Sequence, residues 1–200
     1  MQFQESKLAR SDLKVIVAKY NEDVTWTNDL KYESIIYNKN ESENHLFQNN
    51  LPNVGRESHT FMSFIIDNYD NLPSYMAFVQ GHPFDHCQNI VDLINNFDFK
   101  REFLPLGNYL HRYNMEYEGI NNEMRSFGES IGIKISFPSY HIPGAQHIIS
   151  RRLVRKHPIE FYKRIHYLTS LGKYPQAGLD FEKTLFQIYG IYKNGLPIFY

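Results

Sequence analysis

The sequence predicts an α/β domain: a mixed, mainly parallel sheet flanked by helices, in a single unit whose core runs from about residue 13 to about residue 190. Three observations carry that expectation. Short β-branched runs lack a polar face, as strands covered by helices on both sides require. Between them lie segments with apolar residues three and four apart, the mark of amphipathic crossover helices. Strand and helix signals also alternate along the first half, which is how βαβ units appear in a sequence.

The first strand is expected over residues 13–20, LKVIVAKY, ending in the polar turn NEDVTWTNDL, with a short helix beginning near Asn21 or Asp23. Residues 32–39, YESIIYNK, read as the second strand, and the polar stretch NESENHLFQNN after it as the least ordered loop. Helical spacing follows over residues 53–69, where Phe61, Ile65 and Tyr69 recur with Met62 and Ile66 beside them. Residues 74–80, SYMAFVQ, are the next strand. Residues 85–97 form an amphipathic helix with Cys87, Ile90, Val91, Ile94 and Phe97 on one stripe.

The second half is less regular. Residues 131–137, IGIKISF, alternate like a strand, and SYHIPGAQHIIS reads as a turn and a strand. A helix opens with Pro158 in its first turn and closes on Gly172. A final helix takes Asp180 as N-cap and Gly190 as C-cap.

Composition narrows the classes of function. The chain has 200 residues, enough to bury a core without a disulfide or a structural metal. A formal net charge of −1 argues against a nucleic-acid binder, which needs a strongly basic face. The single cysteine, Cys87, excludes an intramolecular disulfide and fits a reducing compartment. The polar N-terminus, MQFQESKLARSDL, lacks the apolar core of a signal peptide, and no stretch has the ~20 apolar residues of a membrane span. The expected location is the cytoplasm, with peripheral contact at a membrane compatible with it.

In open α/β sheets, ligands bind outside the carboxyl ends of the strands. The residues just past the strands are therefore the candidates: Lys19, Tyr20, Asn21, Glu22 and Asp23; Asn38 and Lys39; and Gln80, followed by Gly81 and His82. Asn53, Gly55, Arg56 and Glu57 open a helix, where free backbone N–H groups favour an anion and Arg56 offers a fork of donors for a diphosphate. Each also has an ordinary turn or helix-start role.

Asp85 carries two readings, as a metal ligand with His86 or as the N-cap of a helix starting at His86, with Gln88 completing a capping-box-like pattern. Arg151, Arg152, Arg155, Lys156 and Arg164 read as a solvated face or as a phosphate holder. No Walker-type loop, GxGxxG, HExxH or paired CxxC is present.

VIVAKYNEDVTW, YNK, LPNVGRESHTFMSFIIDNYDNLP and FVQGHPFDH occur in that order, followed by PGAQHIISRRLVRKHPIEFY and FEKTLFQIYG. These blocks resemble the signatures of a domain family of formally unknown function found in bacteria, fungi and large viruses. That family looks like a compact relative of GT-A glycosyltransferases. The resemblance spans Val15 to Gly190, and NVGRE with QGHPFDH is its most specific part.

It implies a GT-A-like, Rossmann-like sheet that binds a nucleotide sugar through its first half. Gly144 and Gln146 would then line the sugar or acceptor pocket, and Glu182 would take the place of the acceptor-activating carboxylate. Metal-dependent members of that class carry Asp-x-Asp where this chain has QGHPFDH. The single acid leaves a requirement for Mn²⁺ or Mg²⁺ open.

The leading expectation is transfer of a sugar from a nucleotide sugar to a glycan hydroxyl, with Glu182 as base if the anomeric centre inverts. A non-catalytic nucleotide-sugar or carbohydrate-binding module is the second reading. A metal-dependent hydrolase using His82, Asp85 and His86 is the third.

Overall fold

The structure, a computed structural model, describes residues 12–173, 175–193 and 196–197. The N-terminal segment read for a signal peptide lies, up to residue 11, outside the described residues. The elements in chain order are β1 (Leu13–Lys19), β2 (Glu33–Asn38), β3 (Asn49–Asn50), α1 (Arg56–Asp67), β4 (Tyr75–Gln80) and α2 (Ile90–Asn95). Then come β5 (Phe103–Pro105), β6 (His111–Tyr113), α3 (Glu118–Ile131), β7 (Ser139–His141), β8 (His147–Ser150) and α4 (Arg151–Val154). The chain closes with α5 (Ile159–Thr169), α6 (Gln176–Ile188), β9 (Tyr192–Lys193) and β10 (Leu196–Pro197).

The main sheet has six strands in the order β3-β2-β1-β4-β8-β5. The β3/β2, β2/β1 and β1/β4 pairs are parallel, and β8 runs antiparallel to both β4 and β5. The sheet is therefore mixed, parallel on the side that β1, β2 and β4 build.

Alternation on the central strands sorts their side chains between two cores. Leu13, Val15, Val17, Ala77 and Val79 join Trp26, Cys87, Ile90 and Ile94 on the α2 face. Ile16, Met76, Phe78 and Ile149 join Phe61, Ile65, Tyr162, Ile165, Phe181 and Phe186 on the face covered by α1, α5 and α6. Burial on both faces is why these strands read as unbroken apolar runs. Phe78 is fully buried and stands 5.0 Å from the Phe61 ring, so Phe78→Ala would cost about 3–5 kcal/mol.

Several expectations are corrected. The helix expected near residue 21 or 23 is a 3-10 turn over Thr25–Asp29, preceded by Asp23 accepting from the Thr25 backbone N–H and hydroxyl. The loop after β2 is built rather than slack. It holds a 3-10 turn at Glu41–Leu46, capped by Asn40, and the short strand β3.

No helix begins at His86. Pro83 starts a 3-10 turn whose carbonyl accepts from both the His86 and Cys87 N–H groups, and this delays α2 to Ile90. The capping role expected for Asp85 is thereby lost, and Cys87 is core from a turn rather than from a helix stripe.

Residues 131–137 are not a strand. Ile131 ends α3, Gly132 adopts φ 81°, and the chain folds back over its own helix. A Cβ on Gly128 would come within 2.6 Å of the Ile135 side chain, so that glycine lets the return segment pack close. The helix ahead of it, α3, has no counterpart in the sequence reading.

The helix expected to close on Gly172 ends at Thr169. The last helix starts at Gln176 after Pro175, one turn before the expected cap, so Asp180 and Glu182 lie in its second turn. Gly190 follows α6 with φ 65°, as a helix-ending glycine should.

Candidate ligand-binding site

Parallel register brings the ends of three strands to one edge. Lys19 pairs with Asn38 across β1/β2, and Ala18 with Gln80 across β1/β4. The ladders extend one residue further, with the Lys39 N–H donating to the Lys19 carbonyl at 2.9 Å and the Gly81 N–H to the Ala18 carbonyl at 2.8 Å. A cleft of about 390 Å³ opens at this edge. Its walls are Lys19, Tyr20 and Glu22 after β1, Lys39 after β2, Asn53, Arg56 and Glu57 at the start of α1, Gln80 to His82 and Asp85 after β4, and Lys173 after α5.

The α1 start is unusual. Gly55 and Arg56 both take left-handed φ, 65° and 51°, and no side chain caps the helix. Glycine is needed at 55 because the Gly55 N–H donates to the Gly172 carbonyl at 2.8 Å while a Cβ there would lie 2.3 Å from the Thr169 carbonyl oxygen. Lys39 fastens the same turn from below. Its buried ammonium donates to the carbonyls of Val54 and Arg56, and burial, opposed by Glu57, lowers its pKa to about 8. Two of its three donors are thus committed to backbone.

Lys19 is similarly engaged, pairing with Glu43 and donating to the Tyr20 carbonyl at 3.0 Å beneath the Phe47 ring. Arg56 remains beside the cleft, its Nε 3.6 Å from Glu57 Oε2. Lys173 stands over the Tyr20 ring at 5.4 Å.

The remaining sequence candidates divide by task. Asn38 is fully buried, and its amide bonds Asn40, Asn44 and Asn50, so it builds the loop above β2. Asn21 Oδ1 accepts from Asn40 Nδ2, and the Glu22 carboxylate accepts from the Tyr20 N–H at 2.6 Å. A Cβ on Gly81 would lie 2.7 Å from Glu22 Oε2, so any larger residue there would push the Glu22 side chain aside.

Gln146 is buried and accepts from the Gln80 N–H at 3.0 Å, while the Gln80 side chain donates to the Gly144 carbonyl at 3.1 Å. These two glutamines tie β4 to the turn before β8, and Gln146 lies behind the cleft wall. Arg151, Arg152, Arg155 and Lys156 follow β8, whose Ser150 pairs with Tyr75, so they sit at the opposite, amino edge of the parallel strands.

Asp85 and His86 do not converge. Asp85 is exposed and faces His82 at 3.5 Å, whereas the His86 ring packs against Gly144, within 2.8 Å of where a Cβ would stand. Among the described residues no group of three His, Cys, Asp or Glu side chains is placed to hold a metal ion. Among the described residues these side chains form no all-protein site for Mn²⁺ or Mg²⁺.

The Glu182 side chain is 13% exposed. Its carboxyl is pushed up to about 7, chiefly by burial and then by the Glu57 charge, while a hydrogen bond from the Gly144 backbone, Arg56 and Lys183 pull the other way. It lies in the second turn of α6, past the first-turn N–H groups, and its acidity is weakened rather than strengthened. A carboxyl near neutrality is suited to exchanging a proton at physiological pH.

Residues 15–101 match the model of a family described as a protein of unknown function (DUF3431). That segment contains every cleft residue except Lys173, and it does not reach Glu182. No curated protein and no solved structure matches the chain. No helix among the described residues is long and apolar enough to cross a membrane.

Ala18 and Lys173 line the cleft without having been singled out from the sequence, whereas Gly81 and His82 were among the strand-end candidates. Ala18 immediately precedes one of those candidates, Lys19. Lys173 carries no local signal: it reaches the cleft only because Gly172 docks on Gly55, a contact between segments far apart in sequence.

Proposed function

We propose that this chain binds a nucleoside diphosphate sugar at the carboxyl edge of its parallel strands and transfers the sugar to a glycan hydroxyl. One observation carries the reading: Arg56, Lys173 and the uncapped N-terminus of α1 surround a single cleft lined also by Glu57, whose charge acts on the buried carboxyl of Glu182. The GT-A-like character suggested by the sequence blocks adds to it.

In this reading the base and ribose lie along Tyr20 to Asp23, and the diphosphate lies against Arg56, Lys173 and the first-turn N–H groups of α1. Those N–H groups have no intrahelical acceptors and carry the positive end of the helix dipole. The acceptor hydroxyl oxygen attacks the anomeric carbon, Glu182 takes the hydroxyl proton, and the nucleoside diphosphate leaves with the bonding electrons. Arg56 and Lys173 offset the charge that builds on the leaving group, the role that preorganised cations play in such transfers. This is the course of an inverting transferase.

A non-catalytic nucleotide-sugar-binding module is the second reading. It is favoured by the lone acid, Asp85, after β4 and by the commitment of Lys19 and Lys39 to internal bonds. Glu182→Gln separates the two, with turnover measured on a panel of sugar acceptors and donor affinity by calorimetry. The transferase reading expects turnover to fall about 10²–10⁴-fold with donor affinity unchanged. Donor binding without turnover in the unsubstituted protein would leave the binding module in place.

A further inference from the structure

Glu182 has a partner that the proposed reaction does not use. His141, at the end of β7, has a buried side chain, and its Nε2 lies 3.8 Å from Glu182 Oε1. Its ring is stacked on Tyr113 at 5.2 Å and 12° on one side and lies 5.1 Å from the His111 ring, its register partner on β6. These contacts fix the plane of the imidazole.

The tautomer follows from what surrounds the ring. Nδ1 is buried with no hydrogen-bond partner. A buried N–H without an acceptor is rarer in proteins than an under-used acceptor, so the proton belongs on Nε2, facing the carboxylate. At 3.8 Å the contact is longer than a hydrogen bond, as proton-transfer contacts often are before a ligand tightens them.

We propose that His141 is a positioning residue for Glu182, holding its Nε2 proton against Oε1 so that the carboxyl keeps one orientation and a defined proton affinity. The proposal rests on the reading of Glu182 as proton acceptor. His141 does not act by charge, because burial, His111 and Lys183 lower its pKa to about 4. At neutral pH the contact is therefore between a neutral imidazole and a partly ionised carboxyl rather than an ion pair.

The other groups facing Glu182 are Glu57 and Arg56 from α1, the Gly144 backbone, Lys183 of α6 and Tyr113 of β6, whose hydroxyl Glu182 helps to push up. Lys183 is also in contact with Asp180 at 3.7 Å, and the neutral donors beside the Glu182 carboxyl are the Gly144 backbone N–H and His141, whose Nε2 faces Oε1.

The test reads the Glu182 proton directly, without needing turnover. Infrared difference spectra of the full chain between pH 5 and 9 follow the protonated-carboxyl band, and Glu182→Gln identifies which band belongs to Glu182. In the unsubstituted protein that band should titrate near 7. His141→Phe keeps the stack but removes the donor, and His141→Asn places no donor at the Nε2 position. Each should move the midpoint up by about one pH unit, a tenfold rise in proton affinity.

His141→Gln, whose amide reaches the same place, should restore the midpoint. An unmoved midpoint in both donor-less variants would make His141 a packing residue only and overturn the proposal. Loss of no band near 7 in Glu182→Gln would overturn the role of Glu182 itself, and the positioning role with it. A failure confined to the transferase reading would show instead as a normal titration in a protein that binds no donor.

Discussion

The two edges of the parallel strands are both ringed with cations, and they use them differently. At the amino edge Arg151 donates to the Leu72 carbonyl at 2.9 Å, Arg155 to the carbonyls of Tyr69 and Asp70 at 3.1 and 2.8 Å, and Arg152 pairs with Glu102. These arginines close loops. The hollow there, about 460 Å³, is of comparable size, but Asp12 and Asp70 line it and it lies at the carbonyl end of α1, where the helix dipole repels an anion. At the carboxyl edge Lys19 and Lys39 also serve the backbone, while Arg56 and Lys173 stand beside a cleft that the α1 N-terminus faces. Neither the number of cations nor the size of a hollow locates an anion site. Strand direction and the exposed end of a helix do.

The largest expected effect bears on the buried histidines, two of which flank the carboxyl-edge site. Burial first, and then neighbouring charges at His59 and His141, lower His59 to about 3 and both His141 and His147 to about 4, from an ordinary 6.5. Depressed values of this kind favour the folded state fully above pH 6.5, and the benefit is lost as pH falls toward 4 because the unfolded chain takes up the protons. Urea unfolding should lose stability with a slope of up to about 1.4 kcal/mol per pH unit for each such histidine. Substituting Arg151 or Arg155 should leave that slope as it is.

Glu182 gives the opposite sign. Its folded value, about 7, lies above the ordinary 4.5, so its contribution is favourable below pH 4.5 and is lost as pH rises through 7. Glu182→Gln should match the unsubstituted protein at pH 4 and exceed it at pH 8 by roughly 3 kcal/mol at most. Equal stability of the two at both pH values, measured by urea titration, would place Glu182 in water rather than in a desolvated wall.

Smaller effects set the edges against each other. Arg56→Ala should weaken donor binding by about 10–100-fold, the worth of a charge-assisted hydrogen bond, with little change in urea midpoint. Arg155→Ala should do the reverse, lowering stability by about 1 kcal/mol and leaving donor affinity untouched. Lys173→Ala should be the mildest, about threefold in affinity, because an ammonium over an exposed ring is a weak fixed charge. Calorimetry and urea titration on the same samples read all three.

Much of the first half is legible in the sequence because its strands are buried on both faces. The runs VIV in β1 and MAFV in β4 have no polar face to confuse them, and the strand ends then indicate the cleft. The second half hides its elements for local reasons. The helix α3 turns Met124, Phe127 and Ile131 firmly inward beside the polar Asn121 and carries two glycines, so its apolar periodicity is faint. The alternation in IGIKISF records a helix end folding back, with the left-handed Gly132 followed by Ile133 and Ile135 packed over Gly128. At α6 the start signal is Pro175 and not Asp180, which is buried and bonded to Gln176. The proximity of Glu182 to Glu57, and of Lys173 to Tyr20, comes from helix packing that no local pattern encodes.

The most direct measurement is thermal stabilisation of the purified protein by UDP-, GDP- and dTDP-sugars, each with and without Mn²⁺, compared with Arg56→Ala and Arg155→Ala. The account predicts that one nucleotide sugar stabilises the protein, by about 2.7 kcal/mol at a hundred times its dissociation constant. It also predicts that Arg155→Ala keeps this stabilisation and Arg56→Ala loses most of it. Stabilisation by no nucleotide sugar, or equal stabilisation of Arg56→Ala, would contradict the assignment of the diphosphate to the carboxyl-edge cleft.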